Sequence, residues 1–163
     1  VGVQLVDFET LLTESDYLTV HSPATVETNH IFDINAFRKM KPSAIFINCA
    51  RGPIVDEAGL QEALQTGQIV AAGIDVTEIE PLDAENPLLK LDNLTITPHV
   101  AGTSDISGIA GATRWGENAV NILTGKPVHG LGNPEVVKRI AVMRAQGPSR
   151  WDGVPDPVTE AWS

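Results

Sequence analysis

Three residues of this sequence carry side chains that could act together on one small acid. Arg51 follows the apolar run AIFINCA, Glu80 precedes Pro81 in DVTEIEP, and His99 follows Pro98 in NLTITPHVAGTS. An arginine grips a carboxylate through two parallel hydrogen bonds. A histidine supplies or removes a proton near neutral pH. A glutamate can hydrogen-bond the second imidazole nitrogen and hold the ring. Such a set suits a 2-keto or 2-hydroxy acid, with hydride passing to or from a cofactor. Each residue also has a plainer use. His99 could be a satisfied structural histidine, Arg51 could brace its loop through a salt bridge, Glu80 could be a surface residue, and Asp75 could cap the loop after it.

The elements around these residues decide between the two readings. FETLLTE at 8–14 has the pattern of a short amphipathic helix, and Tyr17 to Val20 that of a strand stopped by Pro23. Asp33 is an N-cap for DINAFRKMK, a helix that Pro42 ends. AIFINCA reads as a strand buried on both faces, and EAGLQEALQTG as a helix closed by Gly67. IVAAGIDV is a further buried strand, TEIEPLDAENP a loop, and LTITP a fourth strand. A long helix runs from about Ser104 to Leu123, ending at Gly125. NPEVVKRIAVMRAQ holds one more helix, and the Pro/Gly-rich remainder is irregular.

Strands alternating with helices predict an α/β fold with a mainly parallel sheet. In such folds ligands bind beyond the carboxyl ends of the strands. The residues that leave those ends are HSP, ARG, DVTEIEP and PHVAG, which gather His21, Arg51, Asp75, Glu80 and His99 along one edge. Joint placement, more than any single residue, favours chemistry. His21 is expected to be structural, Cys49 a small buried residue, and His30 and His129 surface residues.

Bulk properties narrow the class. The 163 residues, 42% hydrophobic, suffice for one compact core, and a formal net charge of −10 argues against nucleic-acid and acidic-membrane binding. The reading is an acidic cytoplasmic protein. A single cysteine allows no internal disulfide, and no stretch reaches the ~18 apolar residues of a membrane span. The histidines lack the tight spacing of a metal site, so no metal is expected.

The motifs HSPATVETNHIF, MKPSAIFINCARGPIVDEAGLQEAL, AAGIDVTEIEPL, NPLLKLDNLTITPHVAGTS and GENAVNILTGKP resemble, in this order, the D-isomer-specific 2-hydroxyacid dehydrogenases, over about residues 8–130. That group includes phosphoglycerate dehydrogenase and glyoxylate/hydroxypyruvate reductase. The resemblance implies that Arg51 binds the substrate carboxylate, that His99 is the acid/base, and that Glu80 orients it. It implies NAD as cofactor, with NADP not excluded. Ser22 and Pro23 would lie against the dinucleotide, Cys49 and Ala50 would lead the backbone past the nicotinamide, and Asp75 would meet the carboxamide side. Arg51 and His99 would border the same site, and Ala101 and Gly102 would leave room for the ring. Thr77 stands where an aromatic is common and Ser43 where glycine is common. Neither is expected to touch the chemistry.

The sequence holds no G-x-G-x-x-G, which in a complete dinucleotide-binding domain wraps the pyrophosphate on a helix N-terminus. The expected fold is therefore the second half of a Rossmann-type doubly wound parallel sheet, lacking the glycine-fingerprint half and most of the substrate domain. Residues 1–15 would be a remnant of the first half, 16–125 the nicotinamide half with the catalytic residues, and 126–163 a tail returning to the substrate domain. Trp151 and Trp162 are expected to pack or to lie in an interface. The strand DYLTVH would expose an edge, so that the chain alone is expected to be poorly soluble or to associate through that edge, and to show little or no turnover. A homodimer, or association with the missing N-terminal part, is expected. The competing expectation is a non-enzymatic NAD(H)-sensing interaction module of the co-repressor type, or an inactive remnant. Formate dehydrogenase is disfavoured, because that relative pairs its histidine with glutamine.

Overall fold

The computed structural model describes residues 2–124, 126–128, 130, 132–133, 135–148, 153 and 158–159. Gly125, His129, Trp151 and Trp162 lie outside the described residues. The chain divides into two compact units, Val1–Gly102 and Thr103–Ser163.

The first unit is built on a four-stranded parallel sheet. Its strands are β1 (Tyr17–Val20), β2 (Ile45–Asn48), β3 (Ala71–Ile74) and β4 (Leu94–Ile96), in the spatial order β1-β2-β3-β4. Three helices accompany them: α1 (Phe8–Glu14), α2 (Ile34–Phe37) and α3 (Glu57–Gln65). Each helix starts on an aspartate that accepts a backbone N–H its first turn would leave unpaired. Asp7 takes Thr10 at 2.7 Å, Asp33 takes Ala36 at 2.8 Å and Asp56 takes Ala58 at 3.2 Å. Gly67 ends the α3 segment at φ 70°, and the Gln68 N–H donates to the Ala63 carbonyl at 2.8 Å. That is the left-handed closure glycine permits.

The core lies on one face of the sheet. Leu18 and Val20 of β1, Phe46 of β2 and Ala72 and Ile74 of β3 pack with Leu12, Phe37, Leu60, Ala63 and Leu64 from the helices. Phe46 is fully buried, and its ring centroid lies 5.0 Å from that of Phe32 and 5.1 Å from that of Phe37. A Cβ on Gly59 would lie 2.7 Å from the Ile34 nitrogen, so α2 and α3 approach at backbone distance.

Two sequence expectations need correction. The apolar run in β2 is not buried on both faces: Phe46 and Asn48 are buried, whereas Ile45 and Ile47 are half-buried. The same alternation holds in β1 and β3, because one layer of helices covers one face. The helix after Asp33 is also shorter than DINAFRKMK. After Phe37 the bonds shorten to Lys39 on Ala36 and Met40 on Phe37, a tightened turn that drops Met40 into the core before Pro42.

The second unit contains α4 (Asp105–Thr124), β5 (Pro127–Val128), α5 (Val136–Ala145) and β6 (Val158–Thr159). β5 and β6 pair in parallel, a short ladder within a tail expected to be irregular. The twenty residues of α4 include none that is buried. No helix among the described residues is long and apolar enough to cross a membrane.

Candidate active site

The register brings the four strand ends level. Val20 pairs with Asn48, Asn48 with Ile74, and Ile74 with Ile96. Because all four strands run the same way, the segments after these residues leave from one edge. The predicted site residues His21, Ser22, Pro23, Cys49, Ala50, Arg51, Asp75, Glu80 and His99 all stand there.

The exits of β1 and β2 form a groove lined by His21, Ser22, Pro23, Ala24, Cys49, Ala50 and Arg51. Cys49 is exposed rather than buried. It is the first residue past the strand, and its alternation points it away from the face that holds Phe46 and Asn48. His21 contacts the Thr19 hydroxyl through Nε2 at 3.1 Å. Arg51 is exposed, and its Nη1 donates to the Ala50 carbonyl at 2.6 Å. It enters no ion pair among the described residues.

The exits of β3 and β4 form a second cleft, lined by Asp75, Thr77, Glu80, Leu82, Leu89, Ile96, Thr97 and His99 among others. In it, Glu80 Oε2 and His99 Nδ1 lie 2.8 Å apart. The His99 backbone is at φ 55°, held by its N–H donating to the carbonyls of Asp75 at 2.7 Å and Thr97 at 3.0 Å. Glu80 Oε1 accepts the Thr77 N–H at 3.2 Å. The hydrogen bond to His99, then that from Thr77, hold the Glu80 carboxyl below the ordinary glutamate value. Among the described residues Nε2 of His99 has no hydrogen-bond partner, so one ring nitrogen is fixed and the other is open.

Asp75 is almost fully buried, and its oxygens are occupied. Oδ1 accepts the Thr97 hydroxyl and the Val100 N–H, and Oδ2 accepts the Ala101 N–H at 2.9 Å. The Thr97 bond is the largest cause holding its carboxyl below the usual aspartate value. Asp75 thus shapes the loop that carries His99. Ala101 and Gly102 are exposed, and a side chain at position 102 would meet open space.

Several contributors were not visible as such in the sequence. Asn48 folds its amide over the turn after β2, and Thr77, expected to be remote from the chemistry, supplies the N–H that holds Glu80. His30 is exposed as expected, yet its Nε2 lies 3.1 Å from Glu78 Oε2. Glu78 and Glu57 cap each other's backbone N–H groups at 2.9 and 2.6 Å, which pins the loop bearing Glu80 to the start of α3.

A family model described as the NAD binding domain of D-isomer specific 2-hydroxyacid dehydrogenase matches residues 1–101. The chain belongs to this family. Among similar proteins, a D-3-phosphoglycerate dehydrogenase of Archaeoglobus fulgidus is 47% identical over 133 residues, covering 82% of the chain and 25% of the relative. A glyoxylate/hydroxypyruvate reductase B of Cronobacter sakazakii is 46% identical over 132 residues, covering 81% of the chain and 41% of the relative. The chain therefore spans about a quarter to two-fifths of the length of these relatives.

Solved family members share the fold. A D-isomer specific 2-hydroxyacid dehydrogenase of Xanthobacter autotrophicus Py2, in complex with NADPH and MES, superposes with a TM-score of 0.64 at 38% identity, over 74% of this chain and 49% of that one. Another from Lactobacillus delbrueckii ssp. bulgaricus, in its NAD complexed form, gives 0.67 at 34% identity, over 74% of this chain and 40% of that one. The parallel sheet is accordingly the second half of a Rossmann-type NAD-binding domain. The alternative of a non-enzymatic sensing module finds no support among these relatives.

Proposed function

We propose that the protein to which this chain belongs is an NAD(P)-dependent oxidoreductase that interconverts a D-2-hydroxy acid and its 2-keto acid. The observation that carries the reading is the imidazole of His99, held through Nδ1 by Glu80 at 2.8 Å with Nε2 open at the carboxyl edge of the sheet. Arg51 receives the substrate carboxylate with a guanidinium that no acidic side chain pairs among the described residues. His99 then gives a proton to the C2 oxygen as the keto acid is reduced, or removes it in the reverse direction. Glu80 keeps the ring oriented and compensates the imidazolium.

The groove beside Arg51 suits the nicotinamide end of a dinucleotide. It is open, it lies past the strand ends where such folds bind ligands, and small residues, Ala24, Cys49 and Ala50, line it. Ser22, Pro23, Cys49, Ala50, Arg51, Asp75, His99, Ala101 and Gly102 would hold the group. When bound, it supplies or accepts the hydride. Asp75 contributes through the Val100 and Ala101 backbone that it fixes. In this reading residues 16–125 form the nicotinamide half of the domain, and the protein works as a cytoplasmic homodimer on a small acid.

The test is titration of the chain with NADH, followed by nicotinamide fluorescence, with and without oxamate. Saturable binding that oxamate tightens in the wild type, and that oxamate no longer tightens in Arg51→Ala, is expected. Binding that ignores both oxamate and Arg51 would remove the assignment of the carboxylate site.

A further inference from the structure

Asn48 is out of place by composition. It ends an apolar strand, it is 1% exposed, and its strand partners are Val20 and Ile74. An aliphatic side chain would suit that position better, since a buried amide stabilises nothing unless its polar atoms are matched. Both ends of this amide are matched, and both face the same turn. Oδ1 accepts the Ala50 N–H at 3.0 Å, and Nδ2 donates to the Arg51 carbonyl at 2.9 Å. The side chain thus spans the two peptide units that set where the Arg51 side chain leaves the backbone.

Gly52 supplies a second constraint on the same turn. A Cβ there would overlap the Thr77 carbonyl and lie 2.7 Å from the Glu78 nitrogen. The turn after β2 is therefore seated backbone against backbone on the loop after β3. Thr77 is also the residue whose N–H holds Glu80. Two links join the turn to the Glu80–His99 pair: this contact, and the Asn48 carbonyl, which accepts the Asp75 N–H at 2.9 Å while the Asp75 carbonyl accepts the His99 N–H at 2.7 Å.

We infer that Asn48 is a positioning residue: with Gly52 seated on Thr77, it fixes the place of the Arg51 guanidinium relative to His99. This rests on the reading of Arg51 as the carboxylate anchor, and it concerns a residue that touches neither substrate nor cofactor. Truncating the amide frees a turn that also lines the groove proposed for the dinucleotide, so recognition of the acid and of the nicotinamide both weaken, and the place of Arg51 is read from its own resonance.

The experiment compares wild type, Asn48→Ala, Asn48→Asp and Arg51→Ala as the 163-residue chain. Amide exchange and the Arg51 side-chain N–H resonance are followed by NMR, and oxamate affinity is measured in the presence of NADH. In Asn48→Ala, the Ala50 amide is expected to exchange faster while the Phe46 amide keeps its protection. Oxamate affinity at saturating NADH falls by about tenfold, the size of one lost hydrogen bond. Asn48→Asp keeps the acceptor for Ala50 but sets a carboxylate oxygen against the Arg51 carbonyl, so the Arg51 resonance is expected to move in this variant as well. An Arg51 resonance that is unmoved in Asn48→Ala, or a parallel loosening of Phe46 and Ala50, overturns the inference. If Arg51→Ala leaves oxamate binding intact, the carboxylate reading fails. The positioning inference is then decided by the Arg51 resonance alone, which needs no ligand.

Discussion

Thr97 donates its hydroxyl to the Asp75 carboxylate at 2.5 Å, and through that bond the end of β4 is tied to the end of β3. The same carboxylate holds the Val100 and Ala101 amides, so one buried anion organises the whole turn around His99. It does so as an acceptor only, which is why aspartate suits the place and asparagine does not.

The pH dependence of this tie follows from its sign. The folded-state value of Asp75 is lowered from 3.8, chiefly by Thr97. The stabilisation is complete above the unfolded-state value and is lost as pH falls through the lower folded-state one. Thr97→Val removes the main cause of the lowering. Its acid unfolding, followed by circular dichroism, is expected to begin at higher pH than that of the wild type. Coincident acid limbs would show that the bond contributes nothing.

Glu80 makes a second pH-dependent element. Its folded-state value is lowered from 4.5, first by the His99 hydrogen bond and then by Thr77. The contribution of the ionised carboxylate is again present above the unfolded value and disappears as pH drops through the folded one. In His99→Ala the Glu80 carboxyl resonance, read by carbon NMR, should titrate at higher pH than in the wild type. A titration that does not move would mean that the imidazole is not its main partner.

Phe46 joins the aromatic cluster under the site. It is fully buried against Phe32 and Phe37. Phe46→Ala is expected to cost about 3–5 kcal/mol by urea denaturation, the range for an aromatic truncated in a packed core. A cost near that of a surface change would contradict the packing described.

Two glycines separate conformational cost from steric cost. Gly67 is at φ 70° with open space around it, so Gly67→Ala is expected to cost about 1 kcal/mol from backbone preference alone. A Cβ at Gly59 would lie 2.7 Å from the Ile34 nitrogen, so Gly59→Ala must push α2 away from α3 and should cost more. Thermal melts of both variants give the order, and the reverse order would count against the close approach.

β1 forms an edge of the sheet, paired only with β2 among the described residues, and its Tyr17 is 72% exposed. Such an edge invites pairing with another chain. Concentration-dependent association of the isolated chain is expected in sedimentation experiments, and Tyr17→Lys should weaken it. A chain that stays monomeric at all concentrations would remove the edge as a contact.

The strands and the Asp33 cap were legible because each is signalled by residue type at short range, and the His99–Glu80 pair because both leave strand ends within the family's motifs. The parallel topology follows from the alternation of elements, whereas the caps at Asp7 and Asp56 emerge only in the structure. What escaped depends on backbone atoms or on a change of direction. Thr77 acts through an N–H that every residue but proline carries, so its side chain could not announce it. Asn48 sits in an apolar run and reads as strand until the chain turns back under it. Cys49 was placed inside because composition favours burial, whereas the register puts it past the last paired residue.

The backbone of His99 occupies a left-handed conformation, at φ 55°, that glycine adopts most readily. Histidine is among the few residues besides glycine that enter this region often, so the geometry and the side chain are compatible. The direction in which the ring leaves the chain toward Glu80 is therefore set by the main chain as much as by the side-chain torsions, and a residue forced back to negative φ at this position would aim any side chain elsewhere.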